Sequence, residues 1–196
     1  MAHRDVSLEN VFVTHDGIYK IGDFGLSTIA NTKTSDFVAK AQYMAPEVAA
    51  QVSYIPVVAD VCSLGILLFM LLTGAPLLDF ASPTSQEFKT VRAMVCCGVL
   101  KSWEMYSQLS AATMDLLSKM LVFDPTKRLQ SMAQVLNHSA LLGLYSTTMS
   151  MMDRAMYYQS FSTQGSFSPR DDLSSSPQLA THAQYIFRCI ISLQTR

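Results

Sequence analysis

The sequence predicts a mainly α-helical domain with one short β-hairpin near its N-terminus. Three observations lead there. The stretch 56–74, "PVVADVCSLGILLFMLLTG", is apolar almost all round, with Pro near its start and Gly at its end, the asymmetry of a helix buried on every side. In "SAATMDLLSKML" (110–121), Met114, Leu117 and Leu121 share one stripe and Ser110 stands ready as N-cap. "VFV" (11–13) and "IYKI" (18–21) flank "THDG", where Asp16 and Gly17 tolerate the positive φ of a tight hairpin.

The remaining elements follow in order. "STIANTKTSD" (27–36) has no period and reads as a loop. A weaker helical pattern runs over 85–95. In "SMAQVLNHSAL" (131–141), Ser131 and Gln134 have capping-box spacing. After about Tyr145 the residues are dominated by Ser, Thr, Met, Gln and Pro, too little apolar surface to offset the entropy of ordering. The expected organisation is therefore a domain over 1–145 and a Ser-rich, disordered tail over 146–196. Within the tail, "YIFRCIISL" (185–193) is a short apolar island, and Ser168-Pro169 and Ser176-Pro177 have the form of proline-directed sites. Such dipeptides are common in disordered tails.

Composition narrows the function classes. Lys and Arg (14) nearly balance Asp and Glu (15), without a basic run, so nothing favours a nucleic-acid or acidic-membrane partner. The most hydrophobic run, 61–72, is shorter than the roughly 20 residues a bilayer span needs, and no signal-peptide pattern opens the chain. Cys62, Cys96, Cys97 and Cys189 lack the paired spacing of a zinc or redox site. Cys96-Cys97 leaves two readings, a strained disulfide or reduced thiols, the second suiting the expected soluble, cytoplasmic protein.

Five short motifs carry chemistry: "HRDVSLEN" (3–10), "DFG" (23–25), "YMAPE" (43–47), "ADVCSLGILLFMLLTG" (59–74) and "DPTKR" (124–128). Taken singly, Asp5, Asn10 and Asp23 suit a turn or a cap. In this order, with a hairpin between the first two motifs, the chain resembles the eukaryotic protein kinase superfamily, and the fold then implied is the C-terminal lobe of a kinase domain. "YMAPE" and the polar segment before it look like a Ser/Thr kinase. The closing "LLSKMLVFDPTKRLQSMAQVLNH" looks most like the calcium/calmodulin-dependent and AMP-activated branch.

The resemblance implies a transferase that uses ATP and Mg²⁺ to phosphorylate a protein substrate. Asp5 would orient the substrate hydroxyl and take its proton, and Asn10 and Asp23 would hold the metal and nucleotide phosphates. His3 would pack against the Phe24 and Gly25 region. Asp60 would fix the catalytic-loop backbone, and Glu47 and Arg128 would form a buried ion pair. Arg4 would receive a phosphate or carboxylate from the activation segment, with Thr32, Thr34 and Ser35 as candidate phosphosites and Asp36 as a standing substitute.

The departures are specific. Ser7 stands two residues after Asp5, where such kinases usually carry a Lys that stabilises the γ-phosphate; a hydroxyl brings no positive charge. Cys62 replaces a usual Trp, Ala39 a usual Gly, and His138-Ser139-Ala140 lacks a Pro-aromatic ending. No G-x-G-x-x-G loop, strand lysine or partner Glu is visible, so the expectation is a lobe without its N-terminal partner lobe, inactive in isolation, with an apolar inter-lobe face open to a partner protein. The alternatives are a pseudokinase-like binding or scaffold module, and a gene fragment with no function of its own.

Overall fold

The structure is a computed structural model that describes residues 1–15, 19–82 and 84–142. The hairpin residues Asp16 and Gly17, the tail over 146–196 with its segment at 185–193, and Cys189 lie outside the described residues. The elements are β1 (Val11–Val13), β2 (Tyr19–Ile21), α1 (Pro46–Ala49), α2 (Pro56–Thr73), α3 (Gln86–Ser102), α4 (Ala111–Met120), α5 (Met132–Leu136) and α6 (Ser139–Leu142). The architecture is mainly helical with an antiparallel β1–β2 pair, in register Val11 opposite Ile21 and Val13 opposite Tyr19.

Helix α2 is the axis of the domain. Pro56 fills its first turn, where a missing N–H costs nothing, and Gly74 at φ 73° ends it, donating its N–H to the Met70 carbonyl at 2.8 Å. By its 18 residues and mean hydropathy of 2.1 it is long and apolar enough to cross a bilayer, yet 89% of it is buried inside the protein, as befits a core helix. Leu64, Leu67, Leu68 and Phe69 are fully buried, each contributing about 1.5–3 kcal/mol relative to exposure. Around α2 pack α4, α5 and a 3-10 turn over Ala41–Tyr43.

The caps at Ser110 and Ser131 form as their sequence predicts, with the hydroxyls accepting from the Thr113 N–H at 3.1 Å and the Gln134 N–H at 3.3 Å. The reciprocal half of the capping box does not form, because Gln134 Oε1 accepts from the Gln130 N–H at 2.6 Å. Helix α3 starts as expected, with Ser85 capping the Phe88 N–H at 3.0 Å, but runs past the predicted stop near 95 to Ser102. The extension is held because Cys96, Val99 and Leu100 reach the core. The helix read over 131–141 is divided at Asn137 into α5 and α6. Cys62, Cys96 and Cys97 are free thiols, which removes the disulfide reading. Burial pushes the Cys62 thiol up to about 11 and the Cys96 thiol up to about 12, so neither ionises at neutral pH.

Gly65 sets the α2–α4 spacing: a Cβ there would lie 2.9 Å from both Met120 Cβ and Leu121 Cδ2. Gly65→Ala is therefore expected to destabilise the domain by about 1–3 kcal/mol, as overpacked cores do, despite the better helix propensity of Ala. Urea unfolding of the variant would check this, and an unchanged or raised midpoint would refute the close approach.

Candidate active site

The site is built on a loop held by one buried carboxylate. Asp60, near the start of α2, accepts the His3 N–H at 2.6 Å and the Arg4 N–H at 2.8 Å. These bonds hold Arg4 at φ 66°, a left-handed conformation that non-glycine residues rarely adopt. Burial pushes the Asp60 carboxyl up to about 6, against the opposing pull of the two amides and the Arg4 charge. His3 Nε2 lies 2.9 Å from the Gly22 carbonyl, and His3 Nδ1 accepts the Asp5 N–H at 3.3 Å. The neutral ring thus carries its proton on Nε2; burial holds its pKa below the usual value. The same ring lies 4.8 Å from that of Phe24.

Asp5, Asn10 and Asp23 are brought to one place by backbone pairing. Gly22 N–H donates to the Asn10 carbonyl at 2.9 Å at the base of the hairpin, which sets Asp23 beside Asn10. The Asn10 amide donates to the Asp5 carbonyl and to Asp5 Oδ2, both at 2.8 Å. That use of the nitrogen leaves the amide oxygen as the atom Asn10 can offer to a cation. Asp23 is exposed and left-handed, at φ 63° and ψ 71°, and Gly25 N–H reaches its carboxylate at 3.4 Å. Two oxygen ligands suit Mg²⁺, which keeps several waters and takes the remainder from phosphates.

The segment between the hairpin and α1 folds back onto this loop. Antiparallel bridges join Ala2 to Thr28 and Thr34 to Tyr54, so the stretch read as a patternless loop is pinned at two points. Arg4 donates from Nε to the Leu26 carbonyl at 2.6 Å and from a terminal nitrogen to Asp36 Oδ2 at 2.5 Å. That hydrogen bond, with a second to Thr34, holds the Asp36 carboxyl below the usual carboxylate range. Among the candidate phosphosites, Thr34 Oγ1 accepts the Asp36 N–H at 3.2 Å, and the group that faces Arg4 is the Asp36 carboxylate.

Further along, Lys40 Nζ donates to the fully buried Ser7 hydroxyl at 2.8 Å and lies 3.5 Å from Glu9 Oε2. Burial pushes the Glu9 carboxyl up, but its own backbone N–H and the Lys40 charge outweigh this and lower its pKa. Ala39, at the position of the usual Gly, adopts φ 141°. The Tyr43 hydroxyl accepts the Leu8 N–H at 3.2 Å, and the Tyr43 carbonyl accepts from Ser63 at 2.7 Å. Beneath lies the bidentate pair of Arg128 with Glu47, at 2.6 and 3.0 Å, with Arg128 also donating to the Val58 and Val122 carbonyls.

Sequence reasoning missed Lys40, Tyr43 as a loop support, and Tyr54, whose hydroxyl donates to the Asp36 carbonyl at 3.0 Å. The missing charge at Ser7 was the one signal available for Lys40: a lone lysine a few residues before "APE" was the nearest replacement in the segment.

Comparison with known proteins agrees with this geometry. The family model of the protein kinase domain matches residues 1–141. The chain is 34% identical over 147 residues to protein kinase kin1 of Schizosaccharomyces pombe, covering 74% of this chain and 16% of kin1. It is 39% identical over 140 residues to an Aurora kinase of Dictyostelium discoideum, covering 69% and 33%, and 34% identical over 150 residues to human ribosomal protein S6 kinase alpha-4, covering 72% and 19%. The chain belongs to the protein kinase family and is homologous to its Ser/Thr kinases, a transferase class. It spans no more than a third of the length of these three relatives.

Asp60 gives the loop a pH signature. Its folded pKa of about 6 lies above its usual 3.8, so as pH rises the unfolded chain releases this proton first. Its contribution to stability is complete below about pH 4 and is lost as pH rises through about 6. Unfolding free energies measured from pH 4 to 7 should show this decline, and Asp60→Asn should abolish it; equal slopes in the two proteins would refute the assignment.

Proposed function

We propose that this chain carries the catalytic-loop part of a Ser/Thr protein kinase, nearest the calcium/calmodulin-dependent and AMP-activated branch by its closing "LLSKMLVFDPTKRL", and that it works on protein substrates in the cytoplasm. The observation that supports this best is the joint placement of Asp5, Asn10 and Asp23 through the Asn10–Asp5 and Gly22–Asn10 bonds. Bound Mg²⁺ would neutralise charge on the ATP phosphates, with the Asn10 amide oxygen and the Asp23 carboxylate as its protein ligands. Asn10 occupies Asp5 Oδ2, leaving Oδ1 to receive the proton of a substrate Ser or Thr hydroxyl. That hydroxyl oxygen bonds to the γ-phosphorus as the bond to the bridging oxygen breaks, and the electron pair leaves with ADP.

A second reading is a binding or scaffold module. It draws on the apolar side chains Phe12, Val13, Phe24 and Leu26, which are exposed on the hairpin and the DFG turn. Mg²⁺-dependent ATP binding by the purified chain, titrated into the millimolar range, separates the two. Saturable binding that Asp23→Ala abolishes is expected of the kinase reading. A folded chain without such binding would favour the scaffold.

The Arg4–Asp36 pair is proposed to hold the activation segment as a phosphate would. Asp36→Ala should then speed limited proteolysis within 27–45 while leaving the unfolding midpoint nearly unchanged. Identical cleavage rates would sink this role.

A further inference from the structure

We infer that Lys40 supplies the positive charge that Ser7 lacks, and that its ammonium meets the γ-phosphate of the nucleotide. The inference rests on the phosphoryl-transfer reading above. Ser7 lies two residues from Asp5, on the loop that presents the proton acceptor, and its side chain is fully buried. A buried neutral hydroxyl cannot offset the charge of a phosphoryl group. The structure places a cation directly on it, with Lys40 Nζ donating to Ser7 Oγ at 2.8 Å from a position 33 residues along the chain.

Three features mark the contact as built rather than incidental. The lysine side chain is 38% exposed, so the ammonium keeps an open side while one hydrogen is fixed by Ser7. Glu9 lies on the other flank at 3.5 Å, too long for a strong hydrogen bond, which orients the charge without fully neutralising it. Ala39 holds φ 141°, a backbone turn costly to any side chain, immediately before the residue that reaches inward. An ammonium has three donors, and Ser7 and Glu9 occupy at most two. The third is available to a phosphate oxygen beside Asp5.

The segment that carries Lys40 also carries Asp36, which Arg4 holds. The cation therefore reaches the site only when the segment is folded against the loop. A lysine fixed on the loop itself would be present in every state of the segment.

The test compares Mg·ATP with Mg·ADP on the full chain by NMR titration, for the parent protein, Lys40→Ser, the exchange Ser7→Lys/Lys40→Ser, and Asp23→Ala, with unfolding midpoints as a check of folding. Lys40→Ser should weaken Mg·ATP about tenfold, the effect of losing one charge-assisted hydrogen bond, and leave Mg·ADP within about twofold. The exchange should recover the preference for ATP. Equal losses for ATP and ADP, no loss for ATP, or an exchange that recovers nothing would overturn the inference. If ATP binding depends on Asp23 but not on Lys40, the inference falls and the kinase reading stands. If the parent chain binds neither nucleotide, or binds both without regard to Asp23, both fall.

Discussion

A carboxylate buried at the head of the central helix is the constraint from which the site follows. Asp60 is buried and has two backbone amides as partners, from His3 and Arg4. Losing either bond would leave a buried acceptor unsatisfied, which costs more than an ordinary hydrogen bond contributes. The chain therefore accepts a left-handed Arg4 to keep both. Once Arg4 is turned, Asp5 lies within reach of the Asn10 amide, and the guanidinium of Arg4 faces the segment that ends at α1. The positions of Asp5, Asn10 and Asp36 are consequences of that one turn.

Glu47 and Arg128 provide the second anchor. Isolated surface pairs contribute little, but this one is buried, bidentate and supplemented by carbonyls of Val58 and Val122. Desolvation takes most of what the charges gain, so the pair adds specificity more than net stability. What it specifies is where the segment after Lys40 must land: α1 can dock only where the guanidinium waits. Since α1 follows Tyr43, whose hydroxyl takes the Leu8 amide, the pair also limits where the loop can lie. Both anchors act on the first turns of α2, Asp60 through its own carboxylate and Arg128 through the Val58 carbonyl.

Much of this was legible because it is local. Period and caps announced α2 and α4, and the hairpin strands showed in "VFV" and "YKI". The three polar residues of the site stood in motifs short enough to read directly. What could not be read were contacts that span the chain. Nothing in the α3 sequence says that Cys96, Val99 and Leu100 meet the core, so a helix weakened by Gly98 and β-branched residues looked shorter than it is. The bridge of Thr34 with Tyr54 has no local period. Lys40 reads as an ordinary loop lysine until the fold sets it on Ser7. Ala39 could be read as a substitution but not as a strain, because φ belongs to the structure.

The distribution of that strain is itself informative. Among the described residues five non-glycine positions have positive φ, and three of them, Arg4, Asp23 and Ala39, belong to the site. Such conformations cost about 1–3 kcal/mol each and persist only where surrounding contacts over-determine them. Each of the three has such a contact. Asp60 holds Arg4, the Gly22–Asn10 pairing precedes Asp23, and the Lys40–Ser7 bond follows Ala39. Glycine at position 39 would relieve the backbone but free the residue that follows it. A side chain kept there narrows the conformations open to the segment, and narrowing them holds an ammonium at Ser7, a position that has no charge of its own. The strain at Ala39 and the serine at position 7 are therefore two sides of one arrangement. A site that places its cation on a segment distant in sequence needs a stiff turn to aim it, whereas a site with the cation on the loop does not.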